Sequence, residues 1–293
     1  VPPAEIPFGF INGQKPRGIT STAFGSRVRH ALGRVPLGHW GTLDPDASGV
    51  LVLAVGHATR LLPLLGDGRK SYDFDLVLGF ETDTGDASGA RTVSSSIPPD
   101  WVAKLPDILS SIVGTISQVP PMYSAVKVDG QPLYKAARRG EEIARAARDV
   151  EIHTLRVIEF AGERARLALE CSAGTYVRTL CEEVGRRLGV PAHMDALIRT
   201  AAGPFTIEQS CAEDLLFANP KSYLIDPLTV LSQSRVALHP DDVARFTHGN
   251  VVNVSGDLEE GEVLVTFGGR MVGTGRVLVG EVGAQLQPTR VFI

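Results

Sequence analysis

Cysteine is scarce: the chain of 293 residues carries three, Cys171, Cys181 and Cys211. The number is odd and none stands in a C-x-x-C pair, so neither a disulfide framework nor a zinc or redox motif is written here, and a reducing cytoplasm is the expected setting. Long apolar runs are missing too. The run Val50 to Val55 is far too short to span a bilayer, and no basic segment followed by an apolar one stands near the start, so neither a secreted nor a membrane-bound protein is expected. Positive charge is not in excess either: 29 Lys and Arg against 33 Asp and Glu leave a net charge of −4, which argues mildly against a nucleic-acid partner.

What is present is ordinary for a folded chain. With 43% hydrophobic and 21% charged residues it should fold without staples, and its length predicts a main domain plus a smaller one. The charge is uneven. Residues 1–72 hold eight Lys or Arg against four Asp or Glu, and residues 127–148 hold six against three, so both stretches suit contact with phosphate.

Ser21 is placed to cap a short amphipathic helix with Phe24, Val28, Ala31 and Leu32 on one side and Gly33 at its end. A polar, Gly-rich loop from Gly38 to Gly49 then leads into a buried strand, Val50 to Val55. Thr59 is placed to cap a second helix over Leu61 to Leu65. Tyr72 to Leu78 alternates as a strand, with Phe74, Leu76 and Leu78 on one face and Asp73, Asp75 and Val77 on the other. Pro120 and Pro121 break the pattern before an Arg-rich surface insertion, Lys135 to Arg148. Arg166 to Cys171 reads as a strand, Ser172 to Thr175 as a turn, and Val177, Leu180, Val184 and Leu188 as one side of a helix closed by Gly189. After Ser234, short β-prone runs such as Gly261 to Thr266 and Arg276 to Val279 predict a small β-rich module.

Few residues announce chemistry on their own. Asp44, in Gly41-Thr-Leu-Asp-Pro45, is a carboxylate in a loop before a buried strand, where rigid structure can hold a reactive group; a turn former is the commoner reading of such an Asp. Asp44 and Asp46, two apart in a loop, have no fixed separation that would make them a glycosidase pair. Glu81 to Asp86 resembles a cation loop but lacks the closing acid, since Ser94 stands at that position. The glycines around Asp67 lack the Lys-Ser or Lys-Thr of a phosphate loop. No metal and no cofactor is expected.

Taken together and in order, Gly38-His-Trp-Gly-Thr-Leu-Asp-Pro45, Lys70-Ser-Tyr72 and Gly174-Thr-Tyr-Val-Arg-Thr179 resemble the TruB family of pseudouridine synthases. Lys15-Pro-Arg-Gly-Ile-Thr-Ser21, Pro120 to Lys127, and Leu133-Tyr134 with Arg138 and Gly140 extend the resemblance over roughly residues 8–210, and Gln287 to Phe292 is more loosely similar to a PUA module. The resemblance implies an α/β (α+β) fold. Its catalytic domain, residues 8–230, would be built on a mixed, largely antiparallel sheet with a thumb-like RNA-gripping insertion at about 120–148, followed by a PUA-like RNA-binding domain, residues 234–293.

It also implies the activity: isomerisation of the T-loop uridine of tRNA (position 55) to pseudouridine in the cytoplasm, by a monomer with no obligatory protein partner. By resemblance Asp44 is the essential carboxylate, acting by attack on sugar or base or by proton removal from the ribose. Arg178 pairs with it, keeping it ionised. Tyr72 stacks on the flipped base, Tyr176 and Leu197 line the pocket, and His39 fills the vacancy left in the RNA. Trp40 departs from the small residue usual after that His, so the neighbouring loop is expected to meet RNA differently. Lys15, Arg60, Lys127 and Arg138 are implied phosphate contacts. Two other readings stay open: a guide-RNA particle acting on ribosomal RNA, and an RNA-folding factor whose catalysis is secondary.

Overall fold

The computed structural model describes residues 7–292 except 67, 125, 126, 129, 130, 134, 135, 137, 138, 142, 257, 281 and 282, with 127, 128, 131 and 132 described in backbone only. The chain opens with β1 (Gly9–Lys15), α1 (Ser21–Ala31), β2 (Leu37–Trp40), β3 (Ser48–Val55) and β4 (Lys70–Leu78). The short pair β5 (Phe80–Thr82) and β6 (Arg91–Ser94), α2 (Trp101–Ser110) and β7 (Gly114–Gln118) follow. Next come the small pair β8 (Lys127–Val128) and β9 (Gln131–Pro132), then β10 (Arg148–Ala161), β11 (Arg164–Cys171), α3 (Val177–Leu188), β12 (Ala192–Ala202) and β13 (Phe205–Thr206). The last strands are β14 (Arg235–Ala237), β15 (Val252–Val254), β16 (Gly261–Phe267), β17 (Arg270–Gly280) and β18 (Gly283–Val291).

The main sheet runs β1-β3-β12-β4-β11-β10-β7, with β2 added to β3 and β13 to β12. It is antiparallel except where β12 meets β3, so the fold is mixed α/β with a largely antiparallel sheet, as expected. On one face of β4, Tyr72, Phe74, Leu76 and Leu78 pack with Leu105 and Leu109 of α2 and Leu180 and Val184 of α3. Each such side chain stabilises the fold by about 1.5–3 kcal/mol relative to exposure. The opposite face of β4, with Asp73 and Asp75, stays partly open, which explains the clean alternation. β3 is buried on both faces. Val50, Val52 and Ala54 join Phe10 and Phe205, while Leu51, Leu53 and Val55 join Phe24 and Val28, hence the unbroken apolar run.

A second sheet, β14-β16-β17-β18-β15, follows residue 234 and shares a core with the first, since Leu264, Met271 and Phe292 pack with Phe10 and Leu61. Phe292 touches Phe8 and His57, and Arg60 donates to the Val291 carbonyl. Among the described residues no helix is long and apolar enough to cross a membrane.

Local details differ from the sequence reading. Thr20, not Ser21, caps α1, its Oγ1 accepting from the Ala23 amide; Ser21 is buried inside the first turn, and Ala31 faces out. The Gly-rich run before β3 contains β2, a strand too short and too evenly half-buried to alternate. Residues 56–65 form a 3-10 helix containing Pro63, and Thr59 bonds back to the Gly56 carbonyl instead of capping it. β17 is longer than the run Arg276 to Val279 suggests.

The parallel junction is tight. Gly49 sits at φ +101° with the Arg199 carbonyl only 2.2 Å from where a Cβ would stand. Gly49→Ala is therefore expected to push β3 and β12 apart and lower unfolding stability by about 3 kcal/mol, measured by urea denaturation; an unchanged midpoint would contradict this packing.

Candidate active site

β3 has two partners along one edge: β2 pairs with residues 52–55, and β12 pairs with Ser48 and Gly49. The loop 41–47 leaves the sheet at this fork, so its backbone polar groups need partners outside a ladder. Buried side chains supply them. Lys15, fully buried, donates to the carbonyls of Pro16 (2.9 Å), Ile19 (2.7 Å) and Pro45 (3.2 Å). Ser21 Oγ both donates to the Leu43 carbonyl and accepts from its amide, each at 2.9 Å. Arg199, 1% exposed, donates to the carbonyls of Val50 (2.7 Å), Gly41 (3.3 Å) and Thr42 (3.5 Å).

The loop thus holds Asp44 at the wall of a cavity of about 360 Å³, lined also by Tyr72, Tyr176, Arg178, Leu197 and Lys70. Arg178, the second residue of α3 and 4% exposed, brings Nη2 to 3.1 Å from Asp44 Oδ2. The same guanidinium donates to the carbonyls of Tyr123 (2.8 Å) and Thr84 (3.1 Å) and lies 3.9 Å from Asp86 Oδ2. Burial pushes the Asp44 carboxyl above the ordinary carboxylate range, and the Arg178 cation pulls it back down. Although 37% of the Asp44 side chain is open, it opens into a concavity walled by protein, so desolvation still acts on it.

Tyr72 reaches the cavity from β4, and Tyr176 from the turn ahead of α3. Burial raises the Tyr72 hydroxyl pKa, opposed by the charge of Arg199 and by its hydrogen bond, so the phenol stays protonated. A smaller cavity of about 160 Å³ adjoins this one, and Asp44, Met194 and Leu197 border both. The five residues Asp44, Tyr72, Tyr176, Arg178 and Leu197, spread over more than 150 positions of sequence, are brought to one pocket.

The other expected site residues are not. His39 lies half-buried on β2 outside the cavity lining, its Nδ1 without a hydrogen-bond partner and its pKa pushed down by burial. Lys15 is no phosphate contact: it is buried and its three donors are used by carbonyls, although burial lowers its pKa to about 8. Arg60 is exposed but engaged, bonding the Val291 carbonyl with its guanidinium 5.4 Å over Phe292. Arg138 and the side chain of Lys127 lie outside the described residues. Trp40 packs its ring against Gly68 and Gly203, with Lys70 Nζ 5.1 Å from the ring centroid.

Three contributors escaped the sequence reading. Arg199 carried one signal, a lone cation in an apolar strand. Asp86 sits in the stretch weighed as a cation loop; its Oδ1 instead accepts from Thr84 Oγ1 and Ser88, leaving Oδ2 toward Arg178. Gln118 clasps the Tyr176 backbone, accepting from its amide (3.0 Å) and donating to its carbonyl (3.3 Å), and nothing in the sequence marks it.

The chain is similar to known proteins over nearly its whole length. Residues 29–177 match the model of the TruB family pseudouridylate synthase N-terminal domain, and residues 178–222 that of the tRNA pseudouridylate synthase B C-terminal domain. The chain is 39% identical to a tRNA pseudouridine synthase B of Azoarcus sp. (strain BH72), covering 99% of this chain and 96% of that protein. It is 40% identical to the protein of that name from Paracoccus denitrificans, covering 97% and 96%. Among solved structures, an H/ACA RNP bound to a substrate RNA containing 2'-deoxyuridine is similar in fold, with a TM-score of 0.71 at 24% identity, covering 98% of this chain and 86% of that one.

Removing Arg178 removes the larger of the two charges, Arg178 and Lys15, that lower the Asp44 pKa. Arg178→Met is expected to move the Asp44 midpoint to higher pH, read from its carboxyl ¹³C shift, and Arg178→Lys to move it less. A midpoint unmoved by either would sink the pairing. The Met variant should also lose about 3–5 kcal/mol of unfolding stability, because two carboxylates and two carbonyls lose their shared partner.

Proposed function

Because the chain belongs to the TruB family of pseudouridylate synthases, we propose that it isomerises the T-loop uridine of tRNA, position 55, to pseudouridine. It acts on bare tRNA in the cytoplasm, without cofactor or obligatory protein partner. One observation carries the reading: a carboxylate held 3.1 Å from a buried guanidinium, on the wall of a cavity of about 360 Å³.

The reaction breaks the bond from uracil N1 to ribose C1′ and forms one from C5 to C1′; N1 gains a proton and C5 loses one. Substrate and product are isomers, so no redox partner enters the balance. The chain must supply three things: a base or nucleophile at the sugar or ring, a closed space in which the detached base can turn, and a proton path. An ionised Asp44 serves the first, whether it attacks C1′, attacks the base, or removes a ribose proton. Arg178 favours that ionised form against the desolvation of the pocket.

For the second, the Tyr72 ring and the Leu197 and Tyr176 side chains bound the space where a base extruded from the RNA would lie. For the third, the Tyr72 hydroxyl is kept protonated by burial and can relay a proton. His39, neutral at physiological pH because burial lowers its pKa, is the candidate to occupy the place the uridine leaves. The β-rich sheet after residue 234 is the candidate for a further, PUA-like RNA contact.

The test is purified protein with an unmodified tRNA transcript and with one carrying cytidine at position 55, pseudouridine being mapped at nucleotide resolution. Product is expected only from the first transcript. Asp44→Asn should keep tRNA binding and lower the rate by at least ~10³-fold. Binding without any isomer by the wild type would overturn the reading.

A further inference from the structure

Met194, Leu197 and Arg199 all line the cavity, although residues three apart in a regular strand point to opposite faces. The pairing of β12 with β4 resolves this. It runs regularly from Ala192↔Leu78 to Asp195↔Asp75 and resumes at Ile198↔Asp73, so Ala196 and Leu197 together stand opposite a single residue, a β-bulge. The bulge moves Leu197 from the far face of the sheet into the pocket, where it borders both cavities beside Asp44.

The bulge places Ala196 at φ +48°, one of two non-glycine residues at positive φ among the described residues, in a region that a Cβ disfavours. Something must hold it there. Asp195 Oδ1 accepts from the Ala196 amide at 2.7 Å. Asp195 stands directly opposite Asp75, a like-charge pair that is unfavourable unless cations intervene. They do: Arg17 lies 3.6 Å and Arg164 3.5 Å from Asp195, while Arg164 at 3.9 Å and Arg166 at 3.1 Å meet Asp75. The Asp195 carboxylate is thereby fixed from β11 and from the segment after β1.

We propose that Asp195 is a positioning residue, whose bond to the Ala196 amide holds the β12 bulge and so keeps Leu197 in the pocket against the extruded uridine. The role of Leu197 rests on the function proposed above; the link from Asp195 to Leu197 does not.

The test uses the full chain with ¹³C-methyl-labelled leucine. Asp195→Ala is expected to displace the Leu197 methyl resonances in the RNA-free protein and to lower kcat on tRNA by about 10- to 100-fold, with KM changed less than about threefold. Asp195→Asn, which keeps the acceptor oxygen, should restore both readouts. Adding Ala196→Gly to Asp195→Ala should restore both as well, because glycine needs no help at that φ. Should Asp195→Ala fail to fold, Ala196→Val, which keeps Asp195 but sets a branched side chain in the left-handed region, carries the same expected displacement of Leu197 and loss of kcat. Leu197 signals unchanged in Asp195→Ala, or in Ala196→Val where that variant stands in, overturn the inference, as does an Asn variant as impaired as Ala. The methyl readout needs no RNA, so a wild type that makes no pseudouridine would overturn the proposed function and leave this inference standing.

Discussion

A carboxylate inside a concave, protein-walled pocket tends to take up a proton, and the Arg178 guanidinium opposes this at Asp44. At about 4 Å and an effective dielectric of ~20, such a pair is worth on the order of 4 kcal/mol before desolvation is counted, and less where solvent reaches Asp44. That pull works against desolvation, which still leaves the Asp44 carboxyl above the ordinary range. Geometry must then be exact to a fraction of an ångström, and the guanidinium is fixed by four partners: Asp44, Asp86 and the carbonyls of Thr84 and Tyr123. Two loops and the segment around Tyr123 are all tied to the first turn of one helix. The charge that opposes protonation of Asp44 also assembles its surroundings.

A second set of buried polar groups makes this possible on irregular backbone. Lys15, Ser21 and Arg199 meet the carbonyls of loop 41–47 and its flanks, and Gln118 meets both polar groups of Tyr176. Buried backbone groups without partners cost about 1–3 kcal/mol each, so a loop at a fork in a sheet is affordable only with such partners nearby. Trp40 belongs to the same support, its bulk accommodated by glycines at 68 and 203.

Periodicity made legible what is decided locally. The helix side Val177, Leu180, Val184 and Leu188 with Gly189 in the left-handed conformation at its end, and the alternation of Tyr72 to Leu78, follow from elements whose burial differs between faces. The Asp44–Arg178 pairing was legible only through family resemblance, because the two residues lie 134 positions apart and neither stands out alone. What stayed hidden depends on distant partners. β2 is a strand only because β3 pairs with it. Ser21 sits one residue inside its helix because Leu43 needs both of its hydrogen bonds there. Lys15 looks like a surface cation until the carbonyls of Ile19 and Pro45 close around it. The bulge that turns Leu197 inward shows only when β12 is laid beside β4.

The strand order also bears on how the chain comes into being as it is synthesised. β4 lies between β11 and β12, with Tyr72 opposite Leu169 on one side and Arg199 on the other. When β4 leaves the ribosome, neither neighbour exists, and both of its edges and its apolar face wait for roughly a hundred further residues. Closing such long loops is slow, and an unpaired strand with an apolar face invites association with other chains in the interval. The pocket therefore cannot form from a nascent fragment that stops short of β12. Between translation of β4 and β12 the growing chain carries two open strand edges beside one apolar face.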